Sequence, residues 1–222
     1  MTVLMQKELD NLKKKILELG AEVEGRVRQA VTALLTRDRK LAETVKCGDA
    51  QIDNLEIELE EDCLKVLALH QPVAADLRFI VSVLKINNDL ERVADFAVNI
   101  AERAIDLSGA IPIECPYDIS AMAEVVEKML KMCLDALVEE DIELARQTIQ
   151  LDDEVDNMHR TNFASVKEAI REDTSYIDGL VYFLSISRYL ERMGDLATNI
   201  AEDVVYQVDG EIIRHGGIQA CL

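Results

Sequence analysis

Apolar residues recur along the chain at steps of three and four. Leu12, Ile16, Leu19, Val23, Val27, Ala30, Val31 and Leu34 fall on one face of a helix. The pattern breaks at Thr36-Arg37-Asp38, where Asp38 is placed to cap the next helix. It resumes to about Leu69, stops at a turn around Pro72, and runs again from about Val73 to Leu107. The segment "SGAIPIECPYD" (108–118) holds the other two prolines and a glycine and reads as a linker. Beyond it, the same spacing predicts helices over about 118–139, 142–171 and 175–208, with Asp141 as an N-cap and "REDTSY" as a break. The pattern predicts an all-α chain of six helices.

The second three helices repeat the first three. Asp38, Leu41, Ala42, Asp49, Asp53 and Asn54 recur as Asp141, Leu144, Ala145, Asp152, Asp156 and Asn157, at an offset of 103. Val81, Leu84 and Ile86 recur at an offset of 100, so the first copy carries three extra residues near Pro72. A period of this length is a duplicated structural unit. Short connections make each unit an up-down-up three-helix bundle. The expected organisation is one bundle over 1–110, a second over 117–212 and a tail over 213–222. The two tandem bundles should stack lengthwise or side by side about a pseudo-twofold axis.

The clearest repeat is "LERVADFAVNIAE" (90–102) against "LERMGDLATNIAE" (190–202), identical at nine of thirteen positions. With Glu91 set at 0° on a helical wheel, Glu102, Asp95 and Asn99 fall at about 20°, 40° and 80°. Leu90, Val93, Ala97, Ile100 and Ala101 take the opposite arc, at about 180–280°. The apolar arc serves a core, and the polar stripe is expected to face away from it. Glu191, Asp195, Asn199 and Glu202 repeat the stripe. The second helix carries its own stripe of Asp49, Asp53, Glu56 and Glu60, repeated as Asp152, Asp156, His159 and Phe163.

Carboxylates four apart on one helix repel each other by a few tenths of a kcal/mol. Several together are tolerated when a cation sits among them, and hard divalent cations take several oxygen ligands. The competing reading is a plain solvated face, common in acidic helices. The polar pattern nevertheless persists between copies while core neighbours change, Val93 to Met193 and Phe96 to Leu196. Asn99 and Asn199 could equally serve as caps or inter-helix hydrogen bonders. Arg92 and Arg192 could be ion-pair partners of the stripe. His159 reads as an exposed helix residue, or as a ligand that would tilt the second site toward iron or zinc.

Composition narrows the function. Aromatics are 4%, Trp is absent, and Gly and Pro are few, as a helical chain requires. The formal charge of −19, from 43 acidic and 24 basic residues, argues against a nucleic-acid surface and for cations or basic partners. Cys47, Cys63, Cys115, Cys133 and Cys221 are scattered and odd in number, which fits reduced thiols in a cytosolic protein. Cys63 and Cys133 read as buried small hydrophobes, and Met129, Met132 and Met158 as core fillers. The charged amphipathic start is not a signal-peptide pattern, and "GLVYFLSIS" (179–187) is too short to span a bilayer. Phosphate-binding glycine loops and the nucleophile elbow are absent. Three histidines cannot build a His-rich zinc site, and only Asp156-x-x-His159 approaches a di-iron pattern. A binding or regulatory module is favoured over an enzyme.

"QPVAADLR", "DLERVADFAVNIAERAI", "YLERMGDLATNIAEDVVY" and the ending "GEIIRH" resemble the signature segments of the PhoU family, over nearly the whole chain and in both copies. Ala94 departs from the Gly that the family often has there and that Gly194 keeps. The resemblance implies two three-helix bundles, often as a homodimer, in the cytoplasm. It implies a negative regulator of the phosphate-starvation response and phosphate uptake. Such a protein links the phosphate ABC transporter ATPase to the sensor histidine kinase of a two-component system, without catalysis, nucleic-acid binding or membrane insertion. It also implies metal ions (iron, zinc, magnesium or manganese) on the paired motifs. These carry over to Asp49, Asp53, Glu91, Asp95 and Asn99, and to Asp152, Asp156, Glu191, Asp195 and Asn199. The alternative is a metal-dependent carboxylate-bundle enzyme or a metal-storage protein.

Overall fold

The computed structural model describes residues 3–213, so the expected tail over 213–222, with Cys221 and the last two residues of "GEIIRH", lies almost wholly outside the described residues. Helix α1 spans Val3–Thr36, α2 Arg39–Cys47, α3 Asp49–His70, α4 Ala74–Gly109, α5 Ile119–Glu139, α6 Ile142–Glu172 and α7 Ile177–Asp209. A short 3-10 turn over Thr174–Tyr176 precedes α7. Among the described residues there is no strand.

Every apolar position that set the pattern of α1 is buried, and Met5 and Leu9 extend the same face toward the N-terminus. The two aspartates cap as expected. Asp38 accepts from the backbone N–H groups of Lys40 and Leu41 at 3.0 and 3.1 Å, and Asp141 from Leu144 at 3.0 Å. Each such cap is worth about 1 kcal/mol. Asp118 caps α5 likewise, through Ala121.

The second helix of the first unit departs from the expected continuous run. It is divided at Gly48 into α2 and α3. The guanidinium of Arg26, only 8% exposed, donates from α1 to the carbonyls of Val45 and Gly48 at 3.0 and 3.2 Å. A Cβ at position 48 would lie 1.7 Å from Nη1 of Arg26, so the break requires glycine for space. In the second unit Leu151 holds the matching position and α6 runs unbroken.

The units lie side by side. Arg78 meets Gln207, Ser82 meets Asp203, Phe96 stacks on Tyr189, and Arg103 lies over the Tyr182 ring. Numbers rise along α4 as they fall along α7, so these two central helices are antiparallel. The Ser82–Asp203 and Arg103–Tyr182 contacts exchange under the 100-residue offset, which is the expected pseudo-twofold relation. Helices α1 and α3 pack on α4, α5 and α6 pack on α7, and α1 touches α5. One apolar core runs through both units.

Tyr117 ties the linker down. Its hydroxyl donates to the Phe183 carbonyl at 2.5 Å, and Arg37 donates to the carbonyl of Ile113.

Candidate functional site

The two stripes of each unit share one surface; in the first unit Asp53 and Asp95 are exposed and Asp49, Glu56 and Glu91 half-buried. They meet along the seam between the unit's second and third helices. In the first unit the seam holds Asp49, Asp53 and Glu56 of α3 against Glu91 and Asp95 of α4. Burial raises the Asp49 carboxyl above its ordinary range, and the charges of Asp53 and Asp95 add to it. Glu91 is raised by burial and then by Asp95, Glu56, Asp53 and Asp49. Asp95 is raised by burial and by Asp53, and Glu56 by burial, Glu60 and Asp53. Each group feels the others, so sequence spacing and fold converge on one cluster.

Little basic charge is engaged there. The Arg26 guanidinium draws Asp49 down in part, but its N–H groups bond the carbonyls at the Gly48 break. Arg92 turns to Asp89 at 3.4 Å rather than to the seam. Glu102, the far end of the stripe, is drawn to Lys46 of α2 at 2.8 Å.

The second seam pairs Asp152, Asp156 and His159 of α6 with Glu191 and Asp195 of α7. Burial, then Asp195 and Asp156, push the Asp152 carboxyl up to about 6, while Thr198 pulls it down. Burial raises Glu191 and Asp195, and Arg192 opposes both shifts. Arg192 sits 3.1 Å from Asp195 and 3.7 Å from Glu191, so it turns into this seam as Arg92 does not into the first. Gly194 lets α6 come close: an added Cβ would meet Val155 at 3.3 Å and Asp152 at 3.7 Å. Ala94, its counterpart, is accommodated and buried at 1% exposure.

The asparagines of the stripes are not exposed. Asn199 lines a cleft of about 580 Å³ between α4 and α7, beside Glu202 and Lys85. Asn99 is half-buried on α4. Both sit at a wheel offset of about 80° from the glutamate that opens each stripe.

Asn87 at the first seam, and Ser187 and Asn162 at the second, escaped the sequence reading. Asn87, 1% exposed, donates its amide to the Glu56 carbonyl at 3.0 Å and to Glu56 Oε1 at 3.2 Å. At the matching place, buried Ser187 lies 2.9 Å from Nδ1 of His159. Asn162, also buried, donates to the Ser187 hydroxyl at 3.1 Å. The available signal was a polar residue at a core phase of the third helix in both copies. His159 itself is half-buried, and burial lowers its tendency to hold a proton, with Asp156 opposing and Arg188 adding.

The donor chemistry fits metal ions. Carboxylate oxygens from two helices face one another, and the buried Asn87 Oδ1 beside the first seam has no hydrogen-bond partner. Among the described residues no three His, Cys, Asp or Glu side chains already converge on a metal position. A cation would therefore have to draw the carboxylates inward by side-chain rotation.

Cys63 and Cys133 are buried and Met129 is fully enclosed as expected, but Met132 and Met158 are only half-buried, with Met158 packed against the core. Burial pushes the Cys63 thiol up to about 12 and raises that of Cys133 as well.

Comparison with known proteins gives a consistent result. The family model described as "PhoU domain" matches residues 16–104 and again 119–204. The phosphate-specific transport system accessory protein PhoU homolog of Pseudomonas putida is 37% identical over 213 residues, covering 96% of this chain and 83% of that protein. The homolog of Aquifex aeolicus is 36% identical, covering 96% of each. The crystal structure of PhoU from Pseudomonas aeruginosa superposes with a TM-score of 0.89 at 37% identity, covering 93% of this chain and 99% of that one. The phosphate transport system regulatory protein PhoU from Streptococcus pneumoniae gives 0.84 at 30% identity, covering 94% and 98%.

Proposed function

The chain belongs to the PhoU family, and from that premise we propose that it is a negative regulator of the phosphate-starvation response and of phosphate uptake. It acts as a cytoplasmic adaptor between the ATPase of a phosphate ABC transporter and the sensor histidine kinase that reads phosphate supply. The observation that carries this reading is the match of both repeats, in order, to accessory proteins of phosphate transport along nearly the full chain.

The physical features support a binding role. No described helix is long and apolar enough to cross a membrane, so its route to a transporter is through the transporter's soluble parts. The charge of −19 favours basic partner surfaces and disfavours direct contact with a promoter. The two seams gather carboxylates without an activated nucleophile beside them, which supports cation binding over catalysis. Asp49, Asp53, Glu56, Glu91 and Asp95 would hold one cation group, and Asp152, Asp156, Glu191 and Asp195 the other. A homodimer is part of the same reading.

A deletion strain carrying a phosphate-regulated reporter tests the proposal. The reporter should fire in phosphate-replete medium and be silenced again by the gene in trans. Affinity capture from replete cells should recover the transporter ATPase or the kinase. A deletion strain whose reporter still follows phosphate normally would overturn the regulatory role.

A further inference from the structure

The two seams descend from one duplicated unit, yet they no longer offer the same ligands. At one structural position the first seam presents the Glu56 carboxylate, held by the buried Asn87 amide. The second presents the His159 imidazole, held through Nδ1 by the buried Ser187 hydroxyl, which Asn162 in turn supports. Both copies keep an enclosed polar group on the third helix that orients this side chain. What it orients has changed from oxygen to nitrogen. With Nδ1 engaged, Nε2 is left as the ring's free donor, the arrangement that metal-binding histidines use.

The surrounding charge has changed in step. Five carboxylates share the first seam, Arg92 is turned away to Asp89, and Arg26 is bonded to carbonyls. In the second, Arg192 bridges Asp195 and Glu191, and the charge of Arg188 reaches both Glu191 and His159. Dense uncompensated carboxylate suits a hard cation that gathers oxygens. A mixed imidazole–carboxylate set of lower charge suits a borderline one.

We infer that the duplicated sites have diverged in ligand chemistry: the first takes a hard divalent cation such as manganese or magnesium, and the second, through His159, a borderline cation such as zinc or ferrous iron. This rests on the reading of the seams as cation sites. Ser187 is then a positioning residue, acting through His159.

The test uses the full chain stripped with EDTA, titrated separately with manganese and with zinc by calorimetry. X-ray absorption at the zinc edge reports whether an imidazole is bound. The wild type should show imidazole scattering from zinc. His159→Glu, which restores the first copy's residue, should remove that scattering and weaken zinc at least tenfold while leaving manganese binding unchanged. Ser187→Ala should weaken zinc by about tenfold. Asp49→Asn with Asp95→Asn should abolish manganese binding and spare zinc. Circular dichroism checks that each variant keeps its helices, and His159→Gln replaces His159→Glu if that chain does not fold. Zinc held by oxygen alone, or indifferent to His159, overturns the divergence while leaving the cation reading intact. Absence of binding by either metal overturns both.

Discussion

Asp152→Asn should stabilise the metal-free protein at alkaline pH, which is unusual for a change at a half-buried polar site. The Asp152 carboxyl is pushed from 3.8 to about 6 in the fold, by burial first and then by Asp195 and Asp156. One unit corresponds to about 1.4 kcal/mol, so the full shift corresponds to about 3 kcal/mol. The side chain is still partly in water, and screening reduces this to about 1.5 kcal/mol. The sign follows from the direction of the shift. A carboxyl whose folded value is raised binds its proton more tightly in the fold. Its contribution is fully favourable below 3.8 and is lost as pH rises through about 6. At pH 8 the charged group opposes folding, and asparagine removes the charge while keeping the shape.

The expected gain at pH 8 is about 1.5 kcal/mol, or roughly 3–6 °C in Tm for a chain of this size. At pH 5 wild-type Asp152 is largely protonated in the fold, and the gain should fall to about half. Thermal unfolding in EDTA at the two pH values measures both. Glu154→Gln, on the exposed side of α6, is the control and should change stability by less than about 0.5 kcal/mol. A Tm for Asp152→Asn below wild type at pH 8 would refute the reasoning. So would a gain of equal size at both pH values, because the effect would then not come from the charge.

Gly48→Ala should cost about 2–4 kcal/mol in denaturant unfolding, because its Cβ displaces the buried Arg26 guanidinium from two carbonyls. Tyr117→Phe should cost about 1 kcal/mol and no more than about 2, through the lost bond from the linker to the Phe183 carbonyl. Iodoacetamide at pH 8 should label exposed Cys47 in the native protein and reach Cys63 and Cys133 only after unfolding, read by peptide mass spectrometry. Amide hydrogen exchange should be faster in α3 and α6 than in α4 and α7; uniform protection would contradict the packing.

Periodicity carried most of the fold, since an apolar face of Leu12, Ile16 and Leu19 leaves a helix one side to bury, and duplication then fixed the pairing. The carboxylates of the site were legible because Glu91 and Asp95 recur at positions that serve no core. The break at Gly48 was not. A lone glycine in a helical run is ambiguous, and the residue that decides it, Arg26, lies on another helix. Asn87 and Ser187 were missed for a related reason. They occupy core phases, and only the approach of α3 and α6 turns them toward Glu56 and His159. A helical wheel places residues on one helix and says nothing of its neighbour: Asp53 and Asp95 are exposed as the wheel implies, and it is the packing of α3 on α4 that half-buries Asp49, Glu56 and Glu91.

That seam lies where the fold is held least tightly. Helix α4 buries fourteen of its 36 residues and α7 sixteen of 33, whereas α3 buries four of 22 and α6 five of 31. The outer helices therefore rest on a rigid antiparallel pair through a narrow apolar line. Along that line, carboxylates from both sides push the helices apart. Burial and neighbouring charge together cost the Asp152 carboxylate of the order of 1–2 kcal/mol after screening. A ligand that binds only the closed seam adds stability as its concentration exceeds its dissociation constant, about 2.7 kcal/mol at a hundredfold excess. The two quantities are comparable, so occupancy of a seam is enough to change how firmly α3 or α6 is held. The central helices, bonded across Ser82–Asp203 and Lys85–Asp203, would stay fixed while this happens. On the proposed reading, a ligand filling the seams would then act on the two outer faces and leave the central pair as the scaffold.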